Sequence, residues 1–201
     1  LLLGGAQAVA QRGTNFTITA GSSAYTTDRN LVTNSTNQTV TVTQEALALG
    51  QTNMPKSARY KLRLSFSTAP TSGDVKIEER IEDVQTNWGR KATFTTYVNG
   101  PSGSETLAAN IVQHFGTGGS PSSNVTTAIV LDRATIVGPN WRVQGTVDVP
   151  SVSGKVLGTA RNDYVAAQWV LTPRQTGNYE IGYISVNTGD TTALDTPFEA
   201  K

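Results

Sequence analysis

The chain has 201 residues, which is enough for one all-β domain with a substantial core. Charged residues make up only 15% of it, and 16 basic against 15 acidic side chains give a formal net charge of +1. Such a balance produces no broad field that would concentrate nucleic acid or anionic lipid. The absence of cysteine excludes disulfides, thiolate catalysis and thiolate metal sites. No run approaches the roughly 18 apolar residues of a membrane span, so neither nucleic acid nor a membrane is an expected partner.

Alternation of apolar and polar residues recurs along the chain and predicts about ten strands. It is clearest over residues 59–66, where Tyr60, Leu62, Leu64 and Phe66 point one way. In chain order the strands are predicted around 16–18 and 39–43, then over 59–66, 75–82, 92–98, 107–115, 125–131, 141–149, 164–171 and 179–186. One short helix is predicted over 45–51, an Ala- and Leu-containing stretch.

Strands with one apolar face must bury that face against another layer, which predicts two antiparallel sheets packed face to face. The specific prediction is a jelly-roll β-sandwich of about ten strands. No linker or change of composition divides the sequence, so residues 1–201 are expected to form a single domain. Trp141 and Trp169 lie on the apolar faces of their strands and are expected in the core.

Nucleophilic hydrolysis has little support, because the chain has one histidine, His114, and no Gly-x-Ser-x-Gly elbow. Glycosidases need two carboxylates across a cleft. Glu78 and Glu82 alternate with basic residues, a pattern typical of a solvated, charge-paired sheet face. The sequence therefore predicts a protein that is not an enzyme. A depolymerising enzyme that uses Glu78 or Glu82 is kept as an alternative.

Metal chemistry and cofactor binding are also unsupported, since no clustered-ligand spacing appears. Asn162-Asp163 and Gly189-Asp190 offer oxygen ligands for a structural calcium ion, but these residue types are ordinary turn formers. The segment 116–120 is Gly-rich but lacks the lysine and the following helix of a phosphate-binding loop. No cofactor and no metal are predicted.

Aromatic side chains carry the remaining functional signal, because the apolar faces of sugars stack on aromatic rings while their hydroxyls need polar partners. Tyr97 and His114 fall opposite the apolar sets of their strands and are expected to be exposed, and Trp88 precedes Gly89 in a loop. Tyr164 is a further aromatic candidate. The predicted carbohydrate-binding residues are Trp88, Tyr97, His114, Asn162 and Asp163, with the loop 116–123 and Arg161 beside them. The alternative is that the Gly and Asn residues only shape turns and that Tyr97 packs at a subunit contact.

Several short segments, in order, resemble a known family. They are GRKATF (89–94), HFGTGGSPSS (114–123), NWRV (140–143), VPSVSGKVLGT (149–159) and NDY (162–164), with QRG (11–13), DR (28–29), RIEDV (80–84) and TPFE (196–199) further out. Together they resemble the carbohydrate-binding-module-like jelly roll of bacteriophage tail fibres and other virion surface proteins. The resemblance spans nearly the whole chain.

This resemblance implies a non-catalytic virion surface protein, a tail fibre or receptor-binding domain that binds host cell-surface glycans. It also implies a homotrimer that contacts other virion proteins at the tail or capsid surface, with this chain as the C-terminal part of a longer fibre or spike. The alternative is a capsid decoration, head fibre or connector protein with a purely structural role. The two roles share a fold, so the sequence does not separate them.

Overall fold

A computed structural model describes residues 10–50, 58–101, 105–136 and 141–190, with the backbone alone at Asp28 and Trp141. Within these residues the chain forms twelve strands and one 3₁₀ turn at Thr27–Arg29. The strands are β1 (Asn15–Ile18), β2 (Ser22–Tyr25), β3 (Leu31–Asn34), β4 (Val40–Ala46), β5 (Tyr60–Phe66), β6 (Val75–Glu82), β7 (Lys91–Asn99), β8 (Thr106–His114), β9 (Val125–Leu131), β10 (Trp141–Asp148), β11 (Tyr164–Thr172) and β12 (Gly177–Thr188). No helix in these ranges is long and apolar enough to cross a membrane.

The strands form two antiparallel sheets. The first has the order β1-β4-β5-β12-β7-β10, and the second has the order β9-β8-β11-β6-β3-β2. Strand β9 pairs along β8 and also meets β10 at Gly145↔Leu131 and Thr146↔Val130, so it joins the two sheets on one side. The predicted all-β jelly-roll sandwich is confirmed, with twelve strands in place of about ten.

Side chains from both sheets interleave in one core. The ring of Phe94 on β7 meets the indole of Trp169 on β11 edge-on, with centroids 6.2 Å apart. Trp169 is 1% exposed, which confirms its predicted core position; the side chain of Trp141 lies outside the described part of the chain. Burying each such side chain contributes about 1.5–3 kcal/mol, and the alternating pattern supplies these side chains from every long strand. The core therefore fixes which residues are left on the outer faces.

Two local predictions differ from the structure. Strands β2 and β3 were not predicted, because each has only four residues and little apolar alternation. The helix over 45–51 is wrong for its described part: Glu45 and Ala46 end β4, in register with Lys61 and Tyr60, and 47–50 form no helix. A seven-residue helix is marginal without tertiary support, whereas pairing with β5 supplies the hydrogen bonds. Gln51 lies outside the described residues.

Candidate functional site

An open groove of about 1440 Å³ lies on the outer side of the second sheet. It sits where β2, β6 and β8 end and β11 begins, because β11 runs antiparallel to both β6 and β8. Loops that precede β1, join β6 to β7 and lead into β11 complete its walls. The lining consists of Arg12, Tyr25, Arg29, Arg80, Ile81, Glu82, Asp83, Gln85, His114, Leu157, Gly158, Arg161, Asn162, Asp163 and Tyr164.

Strand alternation places the groove's polar side chains. On β6, Val75 and Ile77 point into the core, so Glu78, Arg80 and Glu82 point outward. Tyr164 on β11 lies in register with Glu82 on one side and with His114 of β8 on the other. Three neighbouring strands therefore present aromatic, basic and acidic groups on one surface.

A row of stacked aromatic and cationic groups runs across this surface. The guanidinium carbon of Arg80 lies 4.4 Å from the ring centroid of Tyr164. The ring centroid of His114 lies 4.6 Å from the same centroid, with the planes tilted by 33°. Arg80 and His114 come from the two strands that flank β11, so they cover the Tyr164 ring from opposite sides. At the edge of the groove, the guanidinium of Arg12 lies 4.7 Å from the ring centroid of Tyr25.

A second row, of hydrogen-bonded polar groups, lies beside the first. Arg80 donates to Glu78 Oε2 from Nε at 3.1 Å and from Nη2 at 2.9 Å. Gln168 Nε2 donates to Glu78 Oε1 at 2.6 Å, and Asn110 Nδ2 donates to Gln168 Oε1 at 2.9 Å. The chain of bonds crosses β6, β11 and β8 and holds each head group in a fixed orientation.

The protonation states in the row follow from its packing. Burial lowers the pKa of Arg80, but the hydrogen bond to Glu78 and the nearby Tyr164 outweigh it, so the pKa is raised overall. Burial raises the pKa of the Tyr164 hydroxyl, and the charge of Arg80 only partly opposes this. At neutral pH the surface therefore presents a guanidinium cation beside a neutral hydroxyl that can donate and accept hydrogen bonds.

Two of the predicted binding residues shape the rim of the groove. Asn162 Oδ1 accepts a hydrogen bond from the Thr117 N–H at 2.8 Å. Asp163 Oδ2 accepts one from the Val84 N–H at 3.0 Å. A Cβ added at Gly158 would lie 2.4 Å from the Thr117 carbonyl oxygen, so the loops on either side approach too closely for any side chain there. These contacts favour the turn-shaping alternative for Asn162 and Asp163, although both line the groove.

The structure brings together His114, Asn162 and Asp163 at the groove, and it leaves Trp88 and Tyr97 elsewhere. Trp88 is 45% exposed on the turn after β6, beside the groove but not in its lining. Whether any of these residues binds a sugar stays a prediction.

The expected exposure of Tyr97 is wrong. It does point away from the main core, but it belongs to the first sheet and is only 6% exposed. Its ring packs with Ala58, Leu47 and Tyr183, and its centroid lies 6.2 Å from that of Tyr183. Residues on both sides of the segment 51–57 cover this part of the outer face, which alternation alone does not reveal.

Sequence reasoning missed Tyr25 and treated Glu78 and Arg80 as ordinary solvated charges. Their signal was present, since alternation puts Glu78, Arg80 and Glu82 on one face. Only the strand order shows that this face adjoins Tyr164 and His114.

Glu78 and Glu82 are poorly arranged for glycoside cleavage. They are four residues apart on one strand, which separates their Cα atoms by roughly 13 Å, and only Glu82 lines the groove. Glu78 is also committed to Arg80 and Gln168. Among the residues that the structure describes, no three acidic or histidine side chains cluster as metal ligands.

No protein-family model matches this sequence, and no curated protein is similar to it. Among solved structures, the chain is similar to the CBM22-1 xylan-binding domain from Paenibacillus barcinonensis, at 11% identity and a TM-score of 0.48, over 85% of this chain and 96% of that one. It is similar to the CBM22-1 and GH10 modules of a Clostridium thermocellum endo-1,4-β-D-xylanase complexed with xylohexaose, at 12% identity and a TM-score of 0.43, over 73% of this chain and 24% of that one.

A third similar structure is the enzymatically active domain of bacteriophage CBA120 tailspike protein 4, at 15% identity and a TM-score of 0.44, over 74% of this chain and 18% of that one. The chain thus spans only a minor part of the xylanase and tailspike structures.

Proposed function

We propose that this protein is a non-catalytic surface protein of a bacteriophage virion that binds host cell-surface glycans in the groove of the second sheet. The observation that carries the proposal is the groove itself. Hydroxyl, amide, carboxylate and guanidinium groups line it beside the rings of Tyr25 and Tyr164. A saccharide needs this combination, because each hydroxyl both donates and accepts hydrogen bonds.

Hydrogen bonds hold polar side chains of this surface in fixed positions, which supports binding without cleavage. Arg80 lines the groove and is held by Glu78, which Gln168 holds in turn, so the Arg80 side chain loses little conformational entropy when a ligand arrives. The wide spacing of Glu78 and Glu82 does not favour the alternative of a depolymerising enzyme.

The phage role and the trimer rest on the resemblance of the sequence segments to tail-fibre jelly rolls. A homotrimer would add avidity, since several linked sites convert weak individual sugar contacts into stable attachment. Other virion proteins would be its structural partners.

Paired substitutions locate the binding surface. Tyr25 lines the groove and is 41% exposed, whereas Trp88 lies outside it and is 45% exposed. We expect Tyr25→Ala to weaken binding to host lipopolysaccharide and capsule on a glycan array, while Trp88→Ala binds like the wild type. Because both side chains are exposed, neither change should move the melting temperature much.

If Trp88→Ala weakens binding and Tyr25→Ala does not, the site lies at the loop that carries Trp88, as the sequence suggested. Failure of the assembled protein to bind any host surface glycan would contradict the proposed function as a whole.

One observation favours a second candidate, the structural role in the capsid. Trp88, Val156 and Leu157 are 45%, 55% and 45% exposed, on loops joined by the Gly89 N–H bond to the Val149 carbonyl. Exposed apolar side chains on neighbouring loops are typical of subunit contacts. Labelling the domain in intact particles separates the roles: a signal over the capsid lattice supports decoration, and a signal at the tail tip supports attachment.

A further inference from the structure

We infer that the groove selects anionic glycans, polysaccharides whose sugars carry carboxylate or sulfate groups; the inference rests on the proposed function and names its ligand class. The aromatic rings of the groove already stack on groups of the protein. A neutral sugar gains much of its affinity by stacking an apolar face on an open ring. Arg80 lies 4.4 Å and His114 4.6 Å from the centroid of the Tyr164 ring, so this ring already stacks on protein groups and offers a sugar less free surface.

The second ring of the groove is also shared with a cation. Arg12 lies 4.7 Å from the centroid of Tyr25 and covers one of its faces. A ligand that enters the groove therefore meets guanidinium groups at positions where a neutral sugar would need bare aromatic surface. Recognition must then rely on charge and hydrogen bonds more than on stacking.

The charged groups of the lining differ in the partners that they already have. Asp83 Oδ1 accepts a hydrogen bond from the Gln85 N–H at 2.9 Å, and Asp163 Oδ2 is bonded to the Val84 N–H. By contrast, Arg29 and Arg161 line the groove and form no ion pair with any described residue. The lining thus holds two arginines without an ion-pair partner among the described residues, beside the carboxylates Glu82, Asp83 and Asp163, of which Glu82 and Asp83 are exposed.

The backbone at these arginines adds an independent observation. Arg29 has φ 65° and Arg161 has φ 49°, both in the left-handed region. A turn that only needed this conformation would be formed at lower cost by glycine or asparagine. Arginine at two such positions around one groove indicates that its side chain is used there.

Arginine also determines the chemistry of the ligand. Its planar guanidinium forms paired hydrogen bonds with a carboxylate or an oxyanion of sulfate, an arrangement that a neutral hydroxyl cannot complete. Arg29 and Arg161 lie in loops that border the groove, after β2 and before β11. They therefore offer two attachment points for charged groups along a polysaccharide.

Two matched pairs of probes test the inference on the full chain: oligogalacturonate against its methyl ester, and dextran sulfate against dextran. The first pair isolates the carboxylate and the second isolates the sulfate. By titration calorimetry, we expect at least one acidic probe to bind about tenfold or more tightly than its neutral partner. The preference should shrink as sodium chloride is raised.

Substitutions of the groove arginines test whether these residues cause the preference for acidic probes. Arg29→Gln and Arg161→Gln should each lower the affinity for the acidic probe that binds by about tenfold. Arg161→Lys should keep part of that affinity, because lysine keeps the positive charge. Arg59→Gln removes an exposed cation immediately before β5, a strand of the other sheet, and should leave probe binding unchanged. Thermal melts check that each variant is folded.

Equal binding of the acidic and neutral probes overturns the inference, as do Gln variants that bind like the wild type. If neutral glycans alone bind and Tyr25→Ala abolishes that binding, the proposed function stands and only the anionic preference is wrong. If no probe and no host glycan binds, the proposed function fails as well.

Discussion

Two residues that share a sequence pattern have different roles in the structure. Tyr97 and His114 both lie opposite the apolar side of their strands, yet only His114 reaches the groove. Tyr97 is buried against Leu47, Ala58 and Tyr183. Period-2 alternation tells which face of a sheet a side chain points to, but it does not tell what lies over that face.

Alanine substitutions at the two positions should separate stability from binding. Tyr97→Ala empties a buried site and should lower the free energy of unfolding by about 3 kcal/mol, with glycan binding by the remaining folded protein unchanged. His114→Ala removes a half-exposed ring from the Tyr164 stack and should weaken binding with a much smaller effect on stability. Chemical denaturation and glycan titration of both variants provide the measurement. Loss of binding in Tyr97→Ala at full folding would contradict this assignment.

Glu180 makes folding stability depend on acid. Its carboxylate accepts hydrogen bonds from the side chains of Lys61 at 2.6 Å, Arg63 at 3.0 Å and Asn99 at 3.1 Å. Burial raises the pKa of this carboxyl, but the hydrogen bonds from these three partners lower it more, so its pKa lies below the ordinary value of 4.5. Its stabilising contribution is therefore complete above about pH 4.5 and is lost as the pH falls through the depressed pKa of the folded state.

Glu180→Gln tests this linkage. At pH 7 the variant should be less stable by about 1–3 kcal/mol, because Lys61 and Arg63 lose the charge that they share. Below about pH 4.5 the difference from the wild type should begin to shrink, because the unfolded wild-type chain binds a proton at this carboxyl, and it should be smallest once the pH lies below the depressed pKa of the folded state. Urea unfolding from pH 3 to pH 7 gives the comparison. A difference that stays constant over that range would show that Glu180 acts by packing alone.

At the scale of elements, ten of the twelve strands could be predicted from the sequence, and β2 and β3 could not. The segment from Val125 to Leu131 is rich in β-branched residues, and its predicted bounds match β9. Strands β2 and β3 have four residues each, and polar pairs such as Ser22-Ser23 hide any alternation. Strand β3 pairs with β6, which is distant in sequence, and β2 pairs in turn with β3.

The candidate site was predicted only in part for the same reason. Asn162 and Asp163 were recognised from local turn chemistry, and His114 from its strand face. The contribution of Tyr25 depends on β2, a strand that was not predicted. Arg80 reaches Tyr164 only because β6 and β11 are neighbours in the sheet, a long-range pairing that composition and spacing do not encode.

For the whole molecule, β9 determines how the two sheets depend on each other. It pairs along β8 in the second sheet and meets β10 in the first, while the shared core lies between the sheets. On the opposite side the sheets end in β1 and β2, edge strands of four residues each. Short edges give other chains little to pair with. The sandwich is therefore closed by strand pairing on one side, and we expect its two sheets to unfold together.

Gly145→Ala tests this closure. An added Cβ would lie 2.5 Å from the Val130 carbonyl oxygen and 2.8 Å from Ile129 Cγ2, so β9 would have to move away from β10. Because Ile129 also belongs to the common core, the displacement should destabilise both sheets at once, by about 1–3 kcal/mol. Thr146→Ala, at the next position of β10, removes atoms without adding any and serves as the control.

Calorimetry should then show one transition for the wild type and one for Gly145→Ala at a lower temperature, each with equal calorimetric and van't Hoff enthalpies. Far-UV circular dichroism, which reports the strands, should coincide with near-UV circular dichroism, which reports the packing of core aromatics such as Phe94 and Trp169. Two separate transitions in Gly145→Ala would mean that the sheets keep independent stability once β9 is displaced. In that case the shared core would be a weaker link between the sheets than the pairing of β9 with β10.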